Sequence, residues 1–451
     1  MKKVKKRALF ALLPVGAALL GLCIYIVILA LNGSNWASAR FNPAVYRSGV
    51  MALGTLTDRE GVVLAGIDED GARTFADNAD VRKATLHAVG ERQGNIGTGA
   101  LTVYSSELIG YDFATGIYSI DGTGNTVALT IDSRLNVEAL KALDGRSGTV
   151  MVMNYKTGEV ICMVSSPTFD PQNPPSDVEN NPSYEGVYLN RAISSAFTPG
   201  SVFKLCTAAA AIERVPYVFV REFECSGALE ATEGEITCSR AHGKIDFEEA
   251  LTVSCNSAFG ELALELGPET LADYTERYGL SERTTVGGIL TARGNFDKAR
   301  KGTANLAWSG IGQYKNTVCP AAMLRFVAAV ANDGVAVDMK LIKSGGLSSI
   351  MPGGSQRIML SGTAAALGDM MEYSVHQPQN VVDTFPGLEL HAKTGTAEVG
   401  GGRRPNAWFA GYITNENYPL AFVVVVEDGG GGFVVASPIA NRVLQAALRF
   451  E

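Results

Sequence analysis

Residues 8–31 form a continuous apolar stretch, ALFALLPVGAALLGLCIYIVILAL, that contains no charged side chain. A helix of this length extends about 36 Å, and the hydrocarbon core of a bilayer is about 30 Å thick. The preceding residues, MKKVKKR, carry five positive charges, and positive flanks stay on the cytoplasmic side of a membrane. The sequence therefore predicts a single-pass membrane anchor with a cytoplasmic N-terminus and an exported remainder.

A cleaved signal peptide is the alternative reading of this segment. Ala37-Ser38-Ala39 has the small-residue pattern of a cleavage site. The apolar stretch is much longer than the core of a signal peptide, which runs about 7–15 residues. This length favours an uncleaved anchor, so we predict a tip and anchor over residues 1–35, a pedestal domain over 36–140 and a catalytic domain over 141–451.

The charge of the exported part excludes one class of partner. Of the 38 basic residues in the chain, five precede the anchor, which leaves 33 basic against 46 acidic residues and a formal charge of −13. A surface this acidic does not attract a phosphate backbone, so nucleic acid is not expected as a partner.

The order of the predicted elements indicates an α+β fold. A hairpin is expected around the turn at residues 154–158, a Pro- and Asn-rich loop spans residues 170–186, and helical patterns dominate from Leu205 to about residue 333. Strands return at residues 388–395, 406–414 and 420–427, and an amphipathic helix closes the chain. Helices inserted between early and late strands of one antiparallel sheet predict a helical subdomain beside that sheet.

A nucleophile and a base are suggested by Phe-Thr-Pro-Gly-Ser-Val-Phe-Lys at residues 197–204. Pro199 and Gly200 end the preceding segment, so Ser201 lies where a helix begins. Residues three apart share a helix face, which places Lys204 beside the Ser201 hydroxyl. Burial in an apolar helix lowers a lysine pKa, so a neutral amine could accept the serine proton.

Two further short motifs follow in the chain. Ser254-Cys255-Asn256 lies inside an expected helical stretch, and Lys393-Thr394-Gly395-Thr396 lies on an expected edge strand. An extended peptide could add to that edge, where Gly395 presents no side chain. Lys156-Thr157-Gly158 repeats three of these letters, but it falls in the expected hairpin turn and is assigned to turn geometry.

With these three motifs in this order, the chain resembles the class B penicillin-binding proteins, which are membrane-anchored D,D-transpeptidases of peptidoglycan synthesis. The resemblance also includes four other segments: residues 54–61, 130–140, 308–313 and 406–412. It implies a penicillin-binding, serine β-lactamase-like transpeptidase fold behind an extended pedestal. A β-lactamase, or a non-catalytic β-lactam sensor or scaffold on the same fold, is the alternative.

The resemblance also implies roles for the motif residues. Ser201 would attack the D-Ala-D-Ala carbonyl with Lys204 as base, Ser254 would relay the proton and Asn256 would hold the substrate amide. Lys393, Thr394 and Thr396, with Gly395 between them, would bind the terminal carboxylate. The backbone N–H groups of Ser201 and Thr396 would form the oxyanion hole. The implied partners are peptidoglycan stem peptides, β-lactam antibiotics, the bacterial cell membrane and a polytopic glycosyltransferase of wall synthesis.

The cysteines give no clear framework from sequence. Seven cysteines, six of them beyond the anchor, fit poorly with paired disulfides. Cys225, Cys238 and His242 are spaced C-x12-C-x3-H, which leaves a disulfide, a zinc site and reduced thiols open. We predict no cofactor and no metal, and Cys255 is expected to be a small packing residue. The sequence does not distinguish roles in elongation, division or sporulation, nor the acceptor amine.

Overall fold

The computed structural model describes residues 2–112, 115–116, 118, 123–343, 354–376, 381–415 and 417–450. The helices are α1 Lys2–Ala37, α2 Ala79–Val89, α3 Ala100–Val103, α4 Ser105–Ile109, α5 Ser133–Leu143, α6 Arg191–Ser194, α7 Lys204–Arg214, α8 Phe247–Thr252, α9 Asn256–Arg277, α10 Ala304–Gly310, α11 Pro320–Ala331, α12 Ser361–His376 and α13 Ser437–Arg449. The strands are β1 Tyr46–Arg47, β2 Val50–Met51, β3 Thr55–Thr57, β4 Val63–Ile67, β5 Arg73–Phe75, β6 Thr126–Ala128, β7 Gly148–Asn154, β8 Val160–Ser166, β9 Phe223–Cys225, β10 Ala228–Ala231, β11 Gly234–Thr237, β12 Gly243–Ile245, β13 Thr285–Val286, β14 Ile289–Leu290, β15 Val335–Val337, β16 Ser355–Arg357, β17 Leu390–Ala397, β18 Asn406–Ile413 and β19 Leu420–Val426.

Helix α1 contains the whole charge-free stretch and continues through Ala37. Among the residues that the structure describes, none buries the side chains of the most apolar window of this helix. The helix is long and apolar enough to cross a membrane. That this anchor is uncleaved near Ala37 stays a prediction.

A small sheet, in the order β5-β4-β3-β6, forms the part of the chain that follows the anchor. Its loop residue Asp58 accepts hydrogen bonds from the backbone N–H groups of Glu60 and Val62, both at 2.9 Å. The second carboxylate oxygen of Asp58 accepts a 2.6 Å bond from the Ser133 hydroxyl at the start of α5. The expected pedestal is thus tied to the segment that leads into the larger part of the protein. The boundary at residue 140 stays a prediction, since one apolar core contains both Leu56 and Met151.

Five antiparallel strands, in the order β17-β18-β19-β7-β8, form the central sheet. Strands β7 and β8 form the expected hairpin, and the three C-terminal strands occur where the sequence predicted them. Helices α5 and α13 cover one face, while α11 and the helical part cover the other. The structure confirms the α+β prediction, and β17 lies at the edge of the sheet.

The helical stretch expected at residues 247–267 is interrupted, contrary to the sequence prediction. Helix α8 starts at a capping box formed by Asp246 and Glu249 and ends at Thr252. Ser254 then adopts a left-handed conformation with φ of +53°, and Cys255 caps α9 by accepting the N–H of Ala258. A left-handed residue cannot continue an α-helix. Ser254 and Cys255 therefore lie in a tight turn between two helices.

Candidate active site

The turn that carries Ser201 is packed directly against the edge strand β17. A 3-10 turn at Gly200–Phe203 continues into α7, so Ser201 lies in the first turn of this helical segment as predicted. Gly200 has φ of +58°, and a Cβ atom built there would lie 2.6 Å from the carbonyl oxygen of Thr396. Only glycine permits this backbone to approach so closely. The turn thereby brings Ser201 next to the Lys393–Thr396 segment.

Lys204 is completely buried at the start of α7. Its amine donates to the carbonyl oxygen of Ser254 at 2.5 Å, to the Ser254 hydroxyl at 3.0 Å and to Oδ1 of Asn256 at 2.7 Å. The motifs at residues 201–204 and 254–256 therefore meet at the Lys204 amine, although 50 residues separate Lys204 from Ser254 in the sequence. A neutral amine can keep two of these bonds as donor and use its lone pair to accept a hydroxyl proton.

The pKa of Lys204 is held well below its usual value. Burial is the largest cause, since removal from water disfavours the ammonium form, and the positive charge of Lys393 acts in the same direction. The thiols of Cys255 and Cys238 oppose this shift in the Lys204 pKa. The net direction supports a role for the amine as a proton acceptor.

The turn between α8 and α9 presents Ser254 and Asn256 to Lys204. The left-handed backbone at Ser254 directs both its carbonyl and its hydroxyl oxygen to the same amine. Asn256 is fixed on its other side, because its Nδ2 donates to the carbonyl oxygen of Thr237 at 2.7 Å. We use the word groove for the candidate site bounded by the serine turn, this turn and strand β17, and we call residues 253–256 its helical wall.

Strand β17 forms the opposite side, and we call residues 393–396 the strand wall. Lys393 pairs with Ala410 on β18 and is only 3% exposed. Burial lowers the pKa of Lys393 to about 8. Its amine contacts the carbonyl oxygen of Thr394 at 3.3 Å. The alternation predicted from sequence is confirmed, because Leu390 and Ala392 pack in the core on the other face of the sheet.

The two threonines occupy the other face of β17 from Lys393, since side chains alternate along a strand. Thr394 is half-buried and Thr396 is exposed. The Thr396 hydroxyl accepts a 3.4 Å bond from the backbone N–H of Gly432. A ligand bound by both threonines and by Lys393 must therefore lie along the edge of the strand.

Gly395 has a packing role that sequence reasoning did not identify. A Cβ atom there would meet the Pro199 carbonyl oxygen and a Val202 methyl group, each at 3.0 Å, as well as Trp408. The Trp408 indole donates to the carbonyl oxygen of Thr198 at 2.9 Å. Glycine at this position allows the serine turn to pack on the strand; its predicted contact with substrate stays a prediction.

The second Lys-Thr-Gly sequence lies away from the groove. Lys156 is exposed in the turn between β7 and β8, where its amine donates to Oδ1 of Asn332 at 2.9 Å. Gly158 has φ of +80°, which the turn requires. The assignment of this sequence to turn geometry is confirmed.

The chain is similar to known proteins over most of its length. Residues 148–445 match the family model for the penicillin-binding protein transpeptidase domain. The chain is 29% identical over 385 residues to the peptidoglycan D,D-transpeptidase PbpA of Mycolicibacterium smegmatis, and the match covers 75% of each chain. It is 26% identical over 351 residues to the peptidoglycan D,D-transpeptidase FtsI of Escherichia coli, covering 72% of this chain and 56% of FtsI.

Two solved structures share the fold. The D,D-transpeptidase domain of a peptidoglycan glycosyltransferase from Eggerthella lenta superposes with a TM-score of 0.76 at 26% identity, covering 88% of this chain and 98% of that chain. A ceftriaxone acyl-enzyme complex of penicillin-binding protein A from Mycobacterium tuberculosis superposes with a TM-score of 0.75 at 23% identity, with the same coverage.

Proposed function

The chain belongs to the penicillin-binding protein transpeptidase family, and from this premise we propose how the residues of its groove divide the work of a serine acyl transfer. It is a peptidoglycan D,D-transpeptidase that works through an acyl-enzyme and is acylated by β-lactams. The observation that supports the roles below is the meeting of Lys204, Ser254 and Asn256 at the serine turn, with Lys393 on the facing wall.

In the first half-reaction, the Ser201 oxygen attacks the carbonyl carbon between the two terminal D-alanines of a stem peptide. Lys204 accepts the hydroxyl proton as the C–O bond forms, because its depressed pKa keeps a neutral fraction of the amine. The backbone N–H groups of Ser201 and Thr396 would bind the developing oxyanion. Donors of this kind typically contribute about 3–4 kcal/mol to transition-state stabilisation.

The C–N bond then breaks, and the terminal D-alanine leaves with a proton that Ser254 relays from Lys204. The 3.0 Å contact between the Lys204 amine and the Ser254 hydroxyl supplies this route. In the second half-reaction, an amine of a neighbouring strand attacks the ester carbonyl. A new amide bond forms, the C–O bond to Ser201 breaks, and the serine recovers its proton.

The strand wall would recognise the end of the peptide. Lys393 supplies a positive charge, and Thr394 and Thr396 supply hydroxyl groups for the terminal carboxylate. The peptide itself would add as an extended segment along β17, which lies at the edge of the sheet. Asn256 would hold a substrate amide from the opposite side.

Helix α1 would anchor this groove at the outer face of the bacterial cell membrane. The five basic residues before the apolar stretch support a cytoplasmic N-terminus, and the substrate lies outside the cell. A polytopic glycosyltransferase that supplies uncross-linked strands is the expected partner, since a D,D-transpeptidase consumes such strands. Co-purification of an epitope-tagged full chain with that class of enzyme tests this partner.

The central experiment is covalent labelling of the full-length chain with fluorescent penicillin. We expect labelling of the wild type and of the control Ser281→Ala, and none of Ser201→Ala. Mass spectrometry of the adduct should locate the penicilloyl group on Ser201. Undiminished labelling of Ser201→Ala would refute the assignment of the nucleophile.

A further inference from the structure

A cavity of about 250 Å³ opens directly after the end of helix α1. It is lined by residues 38–40, strand β2, the loop at residues 91–94 and the start of α3 and α4. Pockets for drug-sized ligands measure about 300–1,000 Å³, so this cavity suits a smaller group. It shares no residue with the groove, and we call it the arginine cavity after the side chains described next.

Three arginines line the cavity, namely Arg40, Arg73 and Arg92. In the part of the chain that the structure describes, no carboxylate forms an ion pair with any of them. Arg73 is only 2% exposed and donates to backbone carbonyl oxygens, those of Leu53 and Gly54 at 2.6 and 2.8 Å among them. Burial lowers the pKa of Arg73 to about 10. A buried cation without a counter-charge is unfavourable, and an anion in the cavity would reduce that cost.

The carboxylate in the lining, that of Glu91, is already used within its own loop. One of its oxygens accepts the backbone N–H of Gln93, and the other accepts those of Asn95 and Ile96. Three arginines against this one glutamate leave the cavity with an excess of two positive charges. The cavity therefore has the charge of an anion site.

Arg40 is positioned to donate to such an anion. Its two terminal nitrogens donate to the carbonyl oxygens of Gln93 and Gly94 at 3.1 and 3.2 Å. A guanidinium group has five N–H bonds, so these two contacts hold the side chain and leave others for a ligand. The Tyr46 hydroxyl lies nearby: burial raises its pKa, and the charges of Arg40 and Arg73 act in the opposite direction.

The cavity lies close to the expected surface of the membrane. Helix α1 ends at Ala37, about 9 Å along its axis beyond the last residue of the charge-free stretch, Leu31. The headgroup layer extends about 5–8 Å beyond the hydrocarbon core on each side. Trp36 and Phe41 flank the cavity in sequence and are 52% and 88% exposed. Exposed aromatic side chains beside a span are typical of the membrane–water interface.

We propose that the arginine cavity binds the phosphate headgroup of an anionic phospholipid, with Arg40 as the main donor. Guanidinium groups bind phosphate oxygens through paired, charge-assisted hydrogen bonds. A zwitterionic headgroup fits less well, because the arginines would repel its cationic end. The bound lipid would fix the small sheet after the anchor relative to the membrane surface.

This inference rests on the proposed membrane location of α1 and does not depend on the acyl-transfer chemistry. Sequence reasoning counted the excess of acidic residues beyond the anchor and so did not identify a local basic site. The three arginines are separated by 33 and 19 positions in the chain. Folding brings them to one cavity, with the loop at residues 91–94 contacting the Arg40 side chain.

The site is tested on the full-length chain in nanodiscs that contain equal amounts of phosphatidylglycerol and phosphatidylcholine. Native mass spectrometry after release counts the lipids that stay bound. We expect the wild type to retain phosphatidylglycerol in preference to phosphatidylcholine, and Arg40→Gln to retain about fivefold less, the loss expected for one surface arginine. The control Arg300→Gln removes an exposed arginine elsewhere and should match the wild type. The basic flank at residues 1–7 is identical in all three chains, so lipid bound there does not affect the comparison.

A second pair of variants adds a charge inside the cavity instead of removing one. Thr102 is half-buried in the cavity lining. Thr102→Glu should retain less phosphatidylglycerol than Thr102→Gln, which has nearly the same size and no charge. This pair keeps the test valid if replacement of Arg40 disturbs the loop at residues 91–94.

Equal retention of the two lipids by the wild type, or equal retention of phosphatidylglycerol by Thr102→Glu and Thr102→Gln, would overturn the site. Displacement of the retained lipid by millimolar inorganic phosphate would reassign the cavity to free phosphate, whereas persistence of the lipid supports the proposal. A purified chain that begins after Ala37 would also overturn it, because the cavity would then not be held at the membrane. Penicillin labelling of Arg40→Gln should equal that of the wild type, and absent labelling of both would count against the proposed function alone.

Discussion

The two walls of the groove achieve their positions by opposite means. The strand wall is part of a regular antiparallel ladder in which Lys393 pairs with Ala410 and Thr394 with Phe409. The helical wall is a break between two helices, with Ser254 at φ of +53°. In the strand wall, burial of the Lys393 ammonium group opposes folding. In the helical wall, the left-handed backbone of Ser254 opposes folding.

This difference shows two ways in which a folded protein supports a reactive group. A continuous ladder can hold a charge that its surroundings disfavour, because many hydrogen bonds fix the backbone on which the charge sits. A turn has few such bonds, so it depends on side chains from elsewhere. Around Ser254 these are Lys204, which donates to the Ser254 carbonyl and hydroxyl oxygens, and Cys238, whose sulfur accepts the N–H of Asn256.

The largest effect is expected when the group between the two walls is removed. Lys204→Met should reduce the rate of penicillin acylation on the order of 10²- to 10⁴-fold, the range associated with loss of a general base. The rate is measured by fluorescent penicillin labelling of the full chain over time. Lys156→Met, which alters an exposed lysine in a turn, is the matched control and should acylate normally.

A rate for Lys204→Met within about tenfold of wild type would remove Lys204 as the base, given the range expected for general-base catalysis. It would also contradict the comparison between the strand wall and the helical wall, because the two walls would then not act on a common catalytic base. Lys393 on the strand wall and Cys255 on the helical wall act on the Lys204 pKa in opposite directions.

The second prediction concerns the buried charge of the strand wall. The pKa of Lys393 is about 8 in the folded protein against a usual value of 10.5. Folding therefore disfavours its ammonium form, and the full cost to the stability of the wild type is present below a pH of about 8. Lys393→Met should therefore raise the free energy of unfolding at pH 7 by up to about 3 kcal/mol. The gain should shrink as pH rises from about 8 to 10.5, because folded Lys393 is then neutral while the unfolded chain still binds the proton, so the stability of the wild type increases with pH.

Denaturant unfolding of wild type and Lys393→Met over this pH range measures the effect. Lys156→Met, in the other Lys-Thr-Gly sequence, should change stability little at any of these pH values. A Lys393→Met variant less stable than wild type at pH 7 would show that the strand wall carries no such unfavourable charge.

The smallest effect is expected from the backbone of the helical wall. Ser254→Gly and Ser254→Ala both remove the hydroxyl that contacts Lys204, but only glycine tolerates the left-handed conformation without strain. We expect the glycine variant to be more stable by about 1 kcal/mol, the reverse of the usual order. Thermal unfolding of the two variants gives the comparison, and a more stable alanine variant would contradict the strain.

The same contrast explains what the sequence could and could not predict. The strand wall was predicted with its alternation and its edge position, because a period of two is a local property of residues 388–395. The break at Ser254 was missed, since helix-forming residues continue on both sides of it. The contacts that impose the turn come from Lys204 and Cys238, which are distant in the chain.

The sequence also could not predict which distant segments of the chain lie in close contact. Gly200 was identified as the end of a segment, but its contact with Thr396 depends on how β17 packs against the serine turn. The bond between Asp58 and Ser133 likewise joins two motifs that were identified separately. Motif order revealed which residues belong to the groove, while packing determined how they meet.

The position of β17 at the edge of its sheet has a consequence for selectivity. Its outward backbone groups can pair with any extended peptide, whatever its sequence or the chirality of its last residue. In the proposed binding mode, selectivity would therefore depend on the C-terminal end of the bound peptide, whose carboxylate Lys393, Thr394 and Thr396 would bind. Such an enzyme would select its substrate by the C-terminal end of the stem peptide and only weakly by the residues that precede it.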